Sequence, residues 1–169
     1  ARLEGFVEEV RAAGYTHALL LGMGGSSLAP EVFRVTFGVA PGHLDLAVLD
    51  STDPGAVLAY AEGLDLARTL FIVSTKSGGT VETLSFFKFY YNQVAELVGA
   101  DQAGDHFIAI TDPGSKLADL AERYNFRATF LNDTNIGGRY SALSYFGLVP
   151  AALIGVDVLR LLDDAMGMA

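Results

Sequence analysis

The sequence predicts an α/β fold of three layers (αβα), in which helices cover both faces of a five-stranded parallel sheet. Along its 169 residues, short apolar runs alternate with longer stretches of helical periodicity. This alternation is typical of parallel strands joined by crossover helices. Segments rich in glycine and serine separate the runs, as expected of turns. Since no linker, repeat or low-complexity segment divides the sequence, we expect residues 1–169 to form a single domain.

The five strands are predicted from apolar runs of four to six residues, a length typical of strands rather than of helices. The runs are rich in leucine, isoleucine and valine, as in strands that are buried on both faces. In chain order, the predicted strands are His17–Leu21, Leu46–Asp50, Leu70–Ser74, His106–Thr111 and Ala128–Leu131.

Helices are predicted around these strands from apolar side chains that recur every three to four residues. The first five predicted helices are Leu3–Ala13, Leu28–Phe37, Pro54–Glu62, Val81–Val98 and Lys116–Tyr124. Asp53 is interpreted as the N-cap of the third helix and Pro54 as its first residue. The segment Asp112–Ser115 is interpreted as a turn and cap before the fifth helix. A last helical region covers about Tyr140–Ala165, and we expect a break near Pro150 because proline disrupts helix interiors.

The composition excludes several classes of function. Twenty acidic against eleven basic residues give a formal charge of −9, which argues against nucleic acid and anionic membranes as partners. Because there is no cysteine, disulfides and thiolate metal sites are excluded, and we predict no metal. The longest apolar stretch, Ala142–Val156, is too short to cross a bilayer. We expect a cytoplasmic protein.

The segment Ser74–Thr83 lies between the third strand and the fourth helix, and its composition suits an anion site. Glycines allow a close approach to a ligand, and the first N–H groups of a helix attract anions. Hydroxyls and one lysine add further donors. The predicted phosphate ligands here are Thr75, Lys76, Ser77, Gly78, Gly79 and Thr80. Taken alone, the segment also fits an ordinary turn, because such residues are common where a strand meets a helix.

A second segment of the same kind, Leu19–Glu31, supports the anion site. It contains an apolar strand, a glycine turn, the pair Ser26 and Ser27, and the start of a helix. A dinucleotide-binding Rossmann site of an NAD(P)-dependent oxidoreductase, with Asp50 on a ribose, is an alternative, although the third glycine of its G-x-G-x-x-G pattern would fall at Ser27. A Walker-type phosphate loop is excluded, because no glycine is followed by Lys and Ser/Thr at the required spacing.

Both segments follow strands, so both open onto the carboxyl edge of the sheet, where ligands bind at the point at which strand order reverses. If the first and third strands are neighbours, as in a flavodoxin-like order, the segments face each other across that crevice. Arg139 follows the fifth strand and two glycines, which would let its guanidinium turn over the same edge and bind a phosphate or a developing oxyanion. The alternative for this arginine is an ordinary surface position.

Three motifs in this order resemble the glucose-6-phosphate isomerase family. They are Gly22–Pro30, Thr75–Thr83 and Gly137–Ser141, and they match the first sugar isomerase (SIS) domain of that family over about Tyr15–Gly155. The resemblance implies a sheet of the SIS/flavodoxin-like type and an isomerisation of glucose 6-phosphate to fructose 6-phosphate through a cis-enediolate, without a cofactor. It assigns the phosphate to the two hydroxyl-rich segments and the enediolate to Arg139, because charge develops on the sugar oxygens.

The sequence departs from the family pattern at several positions. Thr75 replaces the usual serine, Gly79 replaces a common threonine, and Leu143–Tyr145 replaces the expected tryptophan. These differences resemble a divergent bacterial branch, and they also fit the isomerase part of a bifunctional transaldolase/glucose-6-phosphate isomerase.

The glutamate base, ring-opening histidine and lysine of the family have no counterpart in this sequence. His17, His43 and His106 are predicted at the opposite edge of the sheet, where they would be structural or exposed. We therefore expect a fragment of a longer isomerase that binds sugar phosphate but does not isomerise it alone. The apolar segment from Leu148 to Leu162 would pack against a second SIS domain or a partner subunit of a homo-oligomer. A non-catalytic phosphosugar sensor is a further alternative.

Overall fold

A computed structural model describes residues 2–168, and its elements alternate as the sequence predicts. The strands are β1 (His17–Gly22), β2 (Asp45–Leu49), β3 (Thr69–Ser74), β4 (Phe107–Thr111) and β5 (Ala128–Leu131). The helices are α1 (Arg2–Ala12), α2 (Gly25–Phe37), α3 (Pro54–Gly63), α4 (Val81–Val98), α5 (Ala100–Ala103), α6 (Lys116–Arg123), α7 (Tyr145–Leu153) and α8 (Val158–Gly167). Short 3-10 helices cover Leu66–Arg68, Gly104–His106 and Gly138–Tyr140. The ends of the predicted domain, Ala1 and Ala169, lie outside the described residues.

The sheet has the order β2-β1-β3-β4-β5, and every neighbouring pair is parallel. Leu19 of β1 lies beside Ala47 of β2 on one side and beside Phe71 of β3 on the other. The chain therefore goes from β1 to one edge of the sheet, returns to β3, and then adds strands toward the other edge. The predicted α/β fold with a five-stranded parallel sheet is confirmed, and strand order reverses between β1 and β3.

Alternate residues of the strands enter two apolar cores, one on each face of the sheet. Leu20 and Ile72 belong to the core that includes α1, α7 and α8, whereas Leu19 and Phe71 belong to the core that includes α4 and α6. All four side chains are fully buried, which explains why the strands appear in the sequence as continuous apolar runs. Within residues 2–168, no helix is both long and apolar enough to span a bilayer.

The predicted strands agree with the observed ones to within one residue at each end. The helix α2 differs more, because it begins at Gly25, three residues before its predicted start at Leu28. Ser26 and Ser27 therefore lie in the first turn of a helix rather than in a loop.

The last helical region is broken into two helices as predicted, but the break lies between Leu153 and Val158 rather than at Pro150. The helix α7 continues through this proline, because eight of its nine residues are buried and their burial outweighs the loss of one backbone hydrogen bond. It begins at Tyr145 rather than at Tyr140, where the Ser144 hydroxyl accepts a hydrogen bond from the Phe146 N–H at 3.3 Å.

Most of the apolar segment from Leu148 to Leu162, which is predicted to pack against a second SIS domain or a partner subunit, is buried within its own fold. Val149 and Leu153 are fully buried in the core beside α1, and Leu161 packs partly against the same core. Burial of this segment within its own fold explains its apolar composition without a partner. The exposed apolar side chains of α2 include Leu28, Val32 and Val35.

Candidate functional site

The two hydroxyl-rich segments meet at the carboxyl edge of the sheet, on either side of the strand reversal. One connects β1 to α2, and the other connects β3 to α4. The Ser74 hydroxyl at the end of β3 donates a hydrogen bond to the Ser26 carbonyl in α2 at 3.2 Å. The first and third strands are neighbours, as the flavodoxin-like order requires, and the two segments border one crevice.

A pocket of about 410 Å³ lies between the two segments. Five of the predicted phosphate ligands line it, together with one acidic residue and two glycines: Gly25, Ser26, Thr75, Lys76, Ser77, Thr80, Asp112 and Gly138. A larger cavity of about 700 Å³ lies between α1 and α8, but its described lining contains no serine or threonine. The smaller pocket is therefore the candidate site, because it alone of the two combines hydroxyl donors with the start of α4.

The hydroxyl groups of the pocket leave donors for a ligand. The Oγ1 atoms of Thr75 and Thr80 lie 2.8 Å apart, so one hydroxyl donates to the other and one hydrogen remains. The Ser77 Oγ accepts a hydrogen bond from the Gly79 N–H at 3.3 Å, which keeps its own hydrogen free. Thr80 is the N-cap of α4, and within the described chain its side chain makes no capping bond. The first N–H groups of α4 are thus available to an anion.

Three predicted ligands lie outside the pocket lining. Ser27 is 1% exposed, and its hydroxyl donates to the Gly24 carbonyl at 3.0 Å, because the early start of α2 turns this side chain into the fold. Gly78 is buried with a φ of +68°, and a β-carbon there would lie 2.6 Å from the Leu117 nitrogen. Gly79 is exposed. The buried position of Ser27 does not support its predicted contact with phosphate. Gly78 has a structural role, because its positive φ and close packing leave no room for a side chain.

Lys76 is not a free cation, in contrast to the expectation from the sequence. Its ammonium forms an ion pair with Asp112 and donates a hydrogen bond to the Thr134 carbonyl at 2.9 Å. The cap of α6 is Ser115, whose hydroxyl accepts a hydrogen bond from the Ala118 N–H at 3.1 Å. Asp112 does not cap this helix, and its carboxylate instead pairs with Lys76 in the pocket. Its position directly after β4, at the same sheet edge, is the signal that sequence reasoning missed.

The loop that carries Arg139 packs against the first turn of α2. The Ser141 hydroxyl donates hydrogen bonds to the Gly138 carbonyl at 2.7 Å and to the Gly25 carbonyl at 3.3 Å. Arg139 itself is exposed and makes no ion pair or hydrogen bond with any other described residue. It directly follows Gly138 of the pocket lining, but Arg139 is not itself one of the residues that line the pocket.

The pocket contains no free general base among the described residues. Asp112 is the one carboxylate that lines it, and this group is already ion-paired. His106 lies at the opposite edge of the sheet, with its ring centroid 5.2 Å from that of Tyr15, and burial lowers the pKa of this histidine below its ordinary value. His17 begins β1, and His43 precedes β2. All three histidines therefore lie away from the pocket.

The chain matches the family model of phosphoglucose isomerase over residues 1–168. It belongs to the phosphoglucose isomerase family. The glucose-6-phosphate isomerase of Thermosynechococcus vestitus is 39% identical over 169 residues, which cover 95% of this chain and 30% of the relative. That of Citrifermentans bemidjiense is 39% identical over 153 residues, which cover 89% of this chain and 28% of the relative. The chain thus spans about 30% of the length of these family members.

Solved structures share the fold. A hypothetical protein from Thermus thermophilus superposes with a TM-score of 0.84 at 31% identity, over 98% of this chain and 41% of that one. A glucose-6-phosphate isomerase from Chlamydia trachomatis superposes with a TM-score of 0.83 at 26% identity, over 96% of this chain and 30% of that one. The predicted phosphoglucose isomerase family is confirmed. The flavodoxin-like strand order also differs from the Rossmann order that the dinucleotide alternative requires.

Proposed function

We propose that this chain binds the phosphate of glucose 6-phosphate and fructose 6-phosphate as part of an aldose–ketose isomerase. The observation that carries the proposal is the convergence of Ser26, Thr75, Ser77 and Thr80 in one pocket at the start of α4. A phosphate dianion suits this arrangement, because hydroxyls and helix N–H groups are donors and the helix dipole adds positive charge. The glucose-6-phosphate isomerase relatives support this choice of substrate.

Arg139 acts on the sugar in this proposal. When a proton leaves the sugar carbon, negative charge develops on the oxygens of a cis-enediolate, and a guanidinium presents a planar set of donors to such oxygens. Arg139 is exposed and directly follows Gly138, which lines the pocket, and Ser141 holds its loop against α2. The guanidinium therefore has a fixed anchor close to the phosphate pocket and no competing partner among the described residues.

Proton transfer requires groups that this pocket does not supply from residues 2–168. Its one lining carboxylate, Asp112, is ion-paired, and the relatives are much longer than this chain. We therefore propose that a glutamate base, a ring-opening histidine and a lysine come from sequence beyond this chain, and that the chain alone binds without turnover. Isomerisation by the 169-residue chain alone would contradict this.

A second SIS domain of the same polypeptide would supply those groups. The exposed apolar side chains of α2, with Leu28 at 62% and Val35 at 69% exposure, are a surface that such a domain would cover. The homo-oligomer stays a prediction, and light scattering of the complete polypeptide tests it.

Amide NMR titrations of the 169-residue chain test the phosphate site. We expect fructose 6-phosphate to shift the signals of Ser26 and Thr75–Val81, and fructose without phosphate to leave them unchanged. Shifts with NADH centred on Gly22–Ser27 and Asp50 would instead support a dinucleotide site, and no shift with any ligand would contradict binding by this chain. Binding without turnover by the complete polypeptide would favour the phosphosugar sensor.

A further inference from the structure

We propose that Asp112 sets the phosphate affinity of the pocket by holding the Lys76 ammonium away from the ligand. This inference rests on the proposed phosphate site and concerns how that site is tuned. Both side chains line the pocket, with 33% of the Lys76 side chain and 15% of the Asp112 side chain exposed. The ammonium also donates to the Thr134 carbonyl at 2.9 Å. It therefore has two partners before any ligand enters.

The main chain around the ion pair holds it in place. The Lys76 carbonyl accepts hydrogen bonds from the Asp112 N–H at 3.2 Å and from the Thr111 hydroxyl at 3.3 Å. The Thr75 N–H donates to the Ile110 carbonyl at 3.1 Å. The ends of β3 and β4 are thus joined at the pair and at the residues just before it. Lys76 and Asp112 are held together by their backbones, unlike two long side chains that meet by chance on a surface.

The ion pair makes this side of the pocket nearly neutral. The Oδ1 atom of Asp112 is buried and has no hydrogen-bond partner among the described residues, so the carboxylate depends on Lys76 for its stabilisation. A phosphate that enters the pocket competes with this carboxylate for the ammonium and is repelled by it. Affinity then comes from the hydroxyls and the start of α4, and Lys76 contributes less than an unpaired lysine would.

Variants of the 169-residue chain test this, with inorganic phosphate and fructose 6-phosphate titrated separately by calorimetry. Asp112→Asn keeps the shape of the side chain and frees Lys76, so we expect about fivefold tighter binding of both ligands. Lys76→Gln leaves the carboxylate unpaired beside the ligand and should weaken binding. The double variant should return to near wild-type affinity, because both charges are removed. The control Asp119→Asn makes the same change of net charge at an exposed position on α6 and should leave binding unchanged.

The pattern across the variants separates this proposal from its rivals. Unchanged or weaker phosphate binding by Asp112→Asn overturns it. If the ion pair had a purely structural role, both single variants would bind phosphate more weakly. A double variant as weak as Lys76→Gln also overturns it, because Lys76 would then contact phosphate regardless of Asp112. If Asp112→Asn does not fold, comparison of Lys76→Gln with the double variant decides.

The same titrations distinguish this inference from the proposed function. Phosphate binding by the wild type with no effect of Asp112→Asn overturns the role of Asp112 and leaves the phosphate site standing. Lack of phosphate binding by the wild type and by every variant overturns both.

Discussion

Gly25 and Gly138 approach so closely that a β-carbon on Gly25 would lie 2.5 Å from the carbonyl oxygen of Gly138. Gly25 begins α2 and is followed by Ser26, whereas Gly138 is followed by Arg139. The contact therefore sets the separation between a residue proposed to bind phosphate and the residue proposed to act on the sugar. Because backbone atoms make the contact, any side chain at Gly25 must move one of the two loops.

Gly25→Ala should lower kcat/KM of the complete polypeptide by about tenfold or more, because a displacement of about 1 Å at a reacting group can cost roughly 100-fold in rate. Gly137→Ala is the matched control in the same loop. Its β-carbon would meet the Tyr140 ring at an ordinary 3.6 Å, and its φ of −69° suits alanine. Initial-rate kinetics measure both variants, and equal rates would show that the contact does not position Arg139.

Gly78→Ala should destabilise the fold by about 2–4 kcal/mol, since it combines overpacking with an unfavourable positive φ. The added β-carbon would lie 2.6 Å from the Leu117 nitrogen, and the present φ is +68°. Gly79→Ala provides the control, because its β-carbon would meet nothing closer than the Ser77 Oγ at 4.0 Å. Urea unfolding gives both free energies. A similar loss of stability in both variants would show that neither the steric contact nor the positive φ of Gly78 is the cause.

Thr80→Ala should weaken the binding of fructose 6-phosphate by about 10- to 150-fold, since a hydrogen bond to a charged group contributes about 1.5–3 kcal/mol. Ser85→Ala is the control on the same helix. The Ser85 hydroxyl donates to the Val81 carbonyl at 2.8 Å, so its loss should not affect the ligand. Calorimetry measures the dissociation constants, and an unchanged value for Thr80→Ala would remove this residue from the site.

The fold and the outline of the site could be predicted because both depend on local patterns. A hydroxyl placed directly after a parallel strand must lie at the carboxyl edge of the sheet, as Thr75 does. The ion pair of Lys76 with Asp112 could not be predicted, because 36 positions separate the two residues and the pairing of β3 with β4 brings them together. The inward position of Ser27 depended on the start of α2, and helix boundaries are the least certain feature of a sequence pattern.

Arg139→Ala should lower kcat of the complete polypeptide by about 100- to 1,000-fold, the usual effect of removing one donor to a developing oxyanion. KM should change far less, because the phosphate donors remain. Arg139→Lys keeps the charge without the planar fork and should give an intermediate kcat. Arg160→Ala is the control, since Arg160 is 80% exposed and lies 3.8 Å from Asp164 on α8. A loss confined to KM would place Arg139 in substrate binding instead.

Burial of His106 should make the protein less stable below about pH 6.5, the ordinary pKa of histidine. The residue is 8% exposed. Desolvation lowers the pKa of His106 in the folded state and outweighs the opposing effect of a hydrogen bond with the Thr69 carbonyl. In the unfolded chain the pKa returns to its ordinary value, so the unfolded state binds more protons in acid. The stabilising contribution of neutral His106 to the free energy of unfolding is fully present above about pH 6.5 and is lost as the pH falls through the folded-state pKa.

Urea unfolding at about pH 7.5 and 5.5 tests this, because other titrating groups change the free energy of unfolding over a different pH range. The pKa of Glu31 is lowered by hydrogen bonds that Arg34 donates to its carboxylate. Its contribution is present above about pH 4.5 and is lost only below that pH, so the two effects do not overlap. His106→Gln should remove most of the fall in unfolding free energy between the two pH values. If the fall survives in that variant, a group other than His106 causes it.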